Sequence, residues 1–173
     1  GVMSNSFYVD LQFSKTEVAT ITKVYGVIMT LVGAALGGVL VMRFGTLRIL
    51  FLGAVLTAST NLLFALLNEV GHDLELLTLI ISLDNLSAGI ATAAFVTYLS
   101  SLTNVAFSAT QYALFSSIML LMPKLLAGFS GQVVEQIGYS SFFVGTSLLG
   151  IPVMILIIMV AKRGDALLPQ ADK

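Results

Sequence analysis

Apolar residues run along this chain in long, nearly unbroken stretches, not in the short alternations of a half-buried strand. Residues 24–42 carry no charge, and neither do 49–67 or 141–161. Residues 76–107 hold one charged side chain, Asp84, and residues 108–134 hold one, Lys124. A helix that crosses a bilayer needs about 20 mostly apolar residues. The pattern therefore predicts an all-α membrane protein with spans at 17–42, 48–67, 75–100, 109–134 and 141–161. Residues 1–13 read as the end of a truncated helix and an exposed lead-in, and 162–173 as a tail.

Short polar links separate these runs. "RFGTLR" (43–48) has two arginines, "NEVGHDLE" (68–75) three acids, "EQIGYS" (135–140) one acid, and the tail opens "KRGD". Loops on the cytoplasmic side are enriched in Lys and Arg. The 43–48 link and the tail are thus expected inside and the acidic links outside, which five alternating spans satisfy. The chain is therefore expected to be multi-pass with a cytoplasmic C-terminus. "GVMSNSFYVDLQF" lacks the basic-then-apolar order of a signal peptide.

Composition supports the lipid setting. The chain is 57% hydrophobic and 10% charged, where soluble domains average about 25% charged. A net charge of −1 gives nucleic acid nothing to hold, and with no cysteine and one histidine, His72, there is no thiolate or histidine metal cluster. No Ser–His–acid set, H-E-x-x-H or phosphate loop is present, so the sequence predicts neither an enzyme nor a cofactor.

Candidate chemistry lies with the few charges inside the spans. Asp84 and Lys124 each sit about ten residues from the outer end of a span, which is about 15 Å deep at 1.5 Å per residue. A charge at the bilayer centre costs at least about 2.5–3.5 kcal/mol, so such residues face a bundle interior or water. Equal depth makes the two candidates for an ion pair, structural or functional. An acid at this place is also a candidate substrate or proton site. Lys23 is shallower and either joins them or snorkels to the interface. Asn85, Ser82, Thr92, Thr97, Gln111, Ser116 and Ser117 add a polar file, whose hydroxyls can also bond back to helix carbonyls. Pro123 is expected to kink its helix, and broken helices flank transporter sites. Gly33-x-x-x-Gly37 and Ala34-x-x-x-Gly38 form a small-residue face for close helix packing.

Residues 37–50, "GGVLVMRFGTLRIL", resemble the loop signature of the major facilitator superfamily, G-x-L-A-D-R-x-G-R-r-r-x-l, with Gly38, Leu40, Arg43, Gly45, Arg48 and Leu50 in register. Met42 stands where the signature has Asp, so its acid–arginine latch is broken. "FSKTEVATITKVYG" (13–26), "LDNLSAGIATAAFVTYLSSLTN" (83–104), "FSATQYALFSS" (107–117) and "LAGFSG" (126–131) are similar to the AmpG-type muropeptide permeases of that superfamily. The resemblance implies the C-terminal six-helix half of a facilitator fold, five complete helices plus a truncated first one, partnered by a missing N-terminal half. It implies proton-driven import, across a bacterial inner membrane, of anhydromuropeptides, small glycopeptides of cell-wall recycling that are linked to β-lactamase induction, and it makes the lead-in at 1–13 periplasmic. It implies substrate or proton contacts from Asp84 (usually Glu in that family), Asn85, Lys124, Lys23 and Gln111, with Gly38, Arg43, Gly45 and Arg48 in the gating loop. Pro123 stands where the family often has Arg. Two other readings stay open: another facilitator, acetyl-CoA-like or a drug exporter, and a non-transporting membrane receptor or scaffold.

Overall fold

Each helix end has a local cause. In the computed structural model, which describes residues 7–102 and 108–167, Ser14 starts α1 (Lys15–Phe44) with a capping box. The Ser14 hydroxyl accepts from the Glu17 N–H at 3.2 Å, and the Glu17 carboxylate accepts from the Ser14 N–H at 2.8 Å. Two donors that no helical bond can serve are thereby satisfied. Gly45 ends α1 with φ 88° and its N–H bonded to the Val41 carbonyl at 2.9 Å, a backbone state suited to glycine.

α2 (Thr46–Val70) starts at once and stops at Gly71, also at φ 88°. Asp73 then accepts from the Leu76 N–H at 2.9 Å at the head of α3 (Leu74–Leu102). α4 (Ser108–Leu148) keeps helical dihedrals through Pro123 and breaks at Gly138, φ 76°. α5 (Gly150–Leu167) carries Pro152 in its first turn, where the missing N–H has no helical partner to lose. Among the described residues all regular structure is helical.

The links are tighter than the charge pattern suggests. The 43–48 link shrinks to Gly45 and the 68–75 link to residues 71–73, because Arg43, Arg48, Glu69 and Glu75 sit within helix ends. The break in α4 falls at Gly138 and not at Pro123. A π-helical turn, Thr22–Gly26, widens α1 at a place with no proline, and it carries Lys23. α5 continues to Leu167 into the expected tail. The expected truncated helix falls partly on residues 1–6, outside the described residues; residues 7–10 form a helical turn.

Two reversals, at Gly45 and Gly71–Asp73, bring α3 back parallel to α1. Their crossing is a backbone-to-backbone contact. The α1 face is Gly26, Thr30, Gly33 and Gly37, spaced four, three and four. A Cβ on Gly37 would lie 2.9 Å from the Ile90 Cα, and one on Gly33 would run into the Leu86 carbonyl. From the α3 side, a Cβ on Gly89 would meet the Thr30 carbonyl and would lie 2.7 Å from the Ala34 nitrogen. Without a strong hydrophobic drive between helices in lipid, such close packing is what holds them together. The small-residue face thus uses Gly33 and Gly37, while nothing lies within 4 Å of a Cβ on Gly38.

Above this crossing, at the Gly71 end, Phe7, Phe64, Leu67, Leu77 and Ile80 form an apolar cluster. The Phe7 ring is fully buried, with ring centroids 5.1 Å from both Tyr139 and Phe143. His72 stacks on Phe13 at 4.3 Å, and its ring nitrogen lies 3.2 Å from the Leu11 carbonyl. Outward faces remain apolar, with Leu31 67% and Leu149 66% exposed. Lys15–Phe44, Thr46–Val70, Leu74–Leu102 and the stretch Gly128–Arg163 are long and apolar enough to cross a membrane.

Candidate functional site

Successive residues on a helix point about 100° apart. Asp84 and Asn85 therefore address different neighbours although they are adjacent in sequence. Asp84 turns to α2, where the Thr60 hydroxyl lies 2.9 Å from its Oδ1. Asn85 turns to α1, where the Thr30 hydroxyl donates to its Oδ1 at 3.1 Å. The Asn85 amide nitrogen donates to the Ile81 carbonyl at 2.8 Å, and Gly26 leaves it room: a Cβ there would stand 3.3 Å from the Asn85 Nδ2. Three helices are thus tied through one polar layer midway along α3.

Each threonine oxygen also lies within hydrogen-bonding distance of a carbonyl of its own helix. Thr30 Oγ1 is 2.8 Å from the Gly26 carbonyl, and Thr60 Oγ1 is 3.0 Å from the Thr57 carbonyl. Thr60 is 4% exposed, so its hydroxyl is sealed between α2 and α3. Buried polar groups without partners are costly, and here each member has one.

The other expected site residues spread around this layer. At 1.5 Å per residue, Asp84 lies about 27 Å from the Leu102 end of α3 and Lys124 about 24 Å from the Ser108 end of α4, similar distances along their own helices. They do not meet: Asp84 takes Thr60, and Lys124 is exposed on α4. Depth fixes height in the bilayer and says nothing of azimuth. Lys23 is exposed on the π-turn of α1. Its turn bulges one extra residue into the helix, a distortion frequent at functional sites. Gln111 sits in the first turn of α4, half-buried and roughly 20 Å from the Asp84 level along the axis.

Arg43 and Arg48 flank Gly45, both exposed. Arg43 lies in the last turn of α1, where a cation offsets the negative end of the helix dipole. Thr97 and Ser117 bond to their own Ala93 and Ala113 carbonyls, so these hydroxyls are spent locally.

Sequence reasoning missed Thr60 and Thr30. Polar residues in the middle of uncharged spans were the available signal, and Thr60 lies ten residues from the Gly71 end of α2, as Asp84 lies ten from the head of α3. A separate groove of about 590 Å³ opens between α2, α3 and α5, lined by Gly53, Ala54, Ala91, Val153 and other mostly apolar residues. Of the polar file Thr92 lines it, while Asp84, Asn85, Lys124, Lys23 and Gln111 do not. Among the described residues no group of three metal-ligating side chains occurs.

Residues 1–172 match the family model of the Major Facilitator Superfamily. The chain is 32% identical over 163 residues to the "Putative transporter AmpG 4" of Rickettsia felis, covering 94% of this chain and 39% of that protein. It is 34% identical to the protein of the same name in Rickettsia conorii, with the same coverage. It is 33% identical over 146 residues to the "Putative transporter AmpG 3" of Rickettsia prowazekii, covering 84% of this chain and 35% of that protein. The chain therefore spans about two fifths of the length of these relatives.

Proposed function

From the Major Facilitator Superfamily, to which this chain belongs, we propose a specific activity: proton-coupled import of anhydromuropeptides across a bacterial inner membrane. The observation that carries the reading is the mid-helix layer in which Asp84 and Asn85 are each held by a threonine of a different neighbouring helix. An acid midway along a membrane helix is costly, so its presence argues for use, as a stop for a proton or for a ligand's polar group. The names of the similar proteins support transport by an AmpG-type carrier.

In this reading Asp84 is the proton or ligand site. Lys124 and the shallower Lys23, both exposed on this half, are basic partners for the carboxylates of a peptide substrate. Asn85 and Gln111 offer hydrogen bonds, Gln111 nearer the cytoplasmic end. Gly38, Arg43, Gly45 and Arg48 form the cytoplasmic gate, and the N-terminal half of the full-length protein completes the path. The two halves rock around the fixed midplane site, so that it opens to one side at a time. The C-terminus faces the cytoplasm.

Uptake of labelled anhydromuropeptide by cells expressing the full-length protein tests this. The expected result is accumulation inside that a protonophore abolishes. Export against the same gradient would replace the reading with a drug-efflux facilitator. Absence of any solute movement, with the protein folded in the membrane, would replace it with a receptor or scaffold.

A further inference from the structure

We propose that Thr60 is a positioning residue whose single hydroxyl hydrogen moves between Asp84 and the Thr57 carbonyl as Asp84 loses and gains a proton. The geometry is simple. Thr60 Oγ1 lies 2.9 Å from Asp84 Oδ1 and 3.0 Å from the Thr57 carbonyl oxygen. A hydroxyl has one hydrogen to give and two lone pairs to offer, while an ionised carboxylate only accepts.

With Asp84 ionised, both neighbours of Thr60 are acceptors and one hydrogen must choose. The charged acceptor takes it, because hydrogen bonds to ionised groups are the stronger ones. With Asp84 protonated, the carboxyl O–H donates to Thr60, and Thr60 donates to the Thr57 carbonyl. Both short contacts are then hydrogen bonds. No atom is left over in either state: one proton enters or leaves at the Asp84 carboxyl, and one hydroxyl rotates. A charge change on α3 is thereby written into the backbone bonding of α2. Back-bonding of this kind bends helices, so the hydroxyl is placed to pass the proton's presence to the helix that follows the Gly45 turn.

The surroundings leave Thr60 the means of doing so. α2 carries no charged residue between Arg48 and Glu69. From the other elements around α3, the charged groups near this level are Lys23 on α1 and Lys124 on α4, both exposed. Asn85 supplies an internal comparison. Thr30 faces two acceptors in the same way, the Gly26 carbonyl at 2.8 Å and the Asn85 Oδ1 at 3.1 Å. An amide oxygen takes up no proton in this range, so that threonine has no second state.

The inference rests on the reading of Asp84 as a proton site, and the experiment separates the two. Initial uptake rates of the full-length protein are measured against pH for wild type, Thr60→Ser, Thr60→Val, Thr30→Val and Asp84→Asn. Thr60→Ser should keep the wild-type midpoint. Thr60→Val removes the donor that favours the ionised form and should move the midpoint up by about one pH unit. Thr30→Val should leave the midpoint in place whatever it does to the rate. A Thr60→Val midpoint equal to wild type overturns the role of Thr60, whereas an Asp84→Asn profile equal to wild type overturns the proton-site reading beneath it. Infrared titration of the purified protein reads the same midpoint without transport, from the carboxyl band that Asp84→Asn removes. A band that is missing in wild type, or unmoved by Thr60→Val, overturns the proposal there too.

Discussion

Gly89→Leu is expected to leave no folded, monodisperse protein after detergent extraction, and Gly89→Ala to leave a destabilised one. A Cβ at this position meets the backbone of α1, at the Thr30 carbonyl and the Ala34 nitrogen, and backbone cannot rotate away as a side chain can. Overpacking of a filled site costs about 1–3 kcal/mol, which is the estimate for alanine. Leucine adds three further carbons where helix already touches helix. The whole folded state of a domain is worth about 5–15 kcal/mol, so the larger residue removes a decisive share. Gly145→Ala is the control, since nothing lies within 4 Å of a Cβ there. Size-exclusion profiles and melting in detergent of the full-length protein read the series, in the order Gly145→Ala, Gly89→Ala, Gly89→Leu. Equal behaviour of the last two and wild type would mean that α1 and α3 do not touch at Gly89.

Asp84→Asn should lower uptake by at least about tenfold and flatten its pH dependence, while the protein still folds. Asparagine has the shape of aspartate and keeps an oxygen for the Thr60 hydroxyl, so packing is preserved. It carries neither the charge nor the proton. A hydrogen bond to a charged group is worth about 1.5–3 kcal/mol, and every 1.4 kcal/mol is about a factor of ten. Asp84→Glu should keep pH-dependent uptake, because the titrating group survives. Initial rates across a pH series separate the two variants. Uptake by Asp84→Asn at the wild-type rate and with the wild-type pH profile would remove Asp84 from the mechanism.

Much of the architecture can be read from the sequence because lipid is a strict solvent. It forces polar residues to the helix ends, so uncharged runs of about 20 residues mark helices without any need for periodicity. Gly45 could be picked out as a turn because it sits between two arginines in a polar link, and the structure gives it φ 88°. Ser14 and Glu17 stand in the spacing of a capping box, and they form one.

What sequence could not show was azimuth. Residue counting puts Asp84 and Lys124 at similar depth, yet a helix turns about 100° per residue, and Thr60 is what Asp84 meets. In the small-residue face, Gly33 and Gly37 touch α3 while a Cβ on Gly38 would meet nothing within 4 Å, a distinction that depends on where a non-adjacent helix lands. The π-turn that carries Lys23 has no proline to announce it. Pro123 left the α4 dihedrals helical, and Gly138 made the break instead. Thr30 and Thr60 were missed because one hydroxyl in an apolar run has no pattern; its meaning comes from the residue across the interface.

The proposed transport requires Asp84 and Asn85 to reach water from within lipid-embedded helices. The chain contains no cysteine, so a single cysteine placed at 84 or 85 is unique within it. The most direct measurement is the reaction of these two cysteines, in the full-length protein in membranes and with any cysteine elsewhere replaced, with a charged, membrane-impermeant thiol reagent. Modification from the aqueous phase and protection by anhydromuropeptide are expected. Cysteines that react only with a lipid-soluble reagent, indifferent to substrate, would contradict the proposed transport.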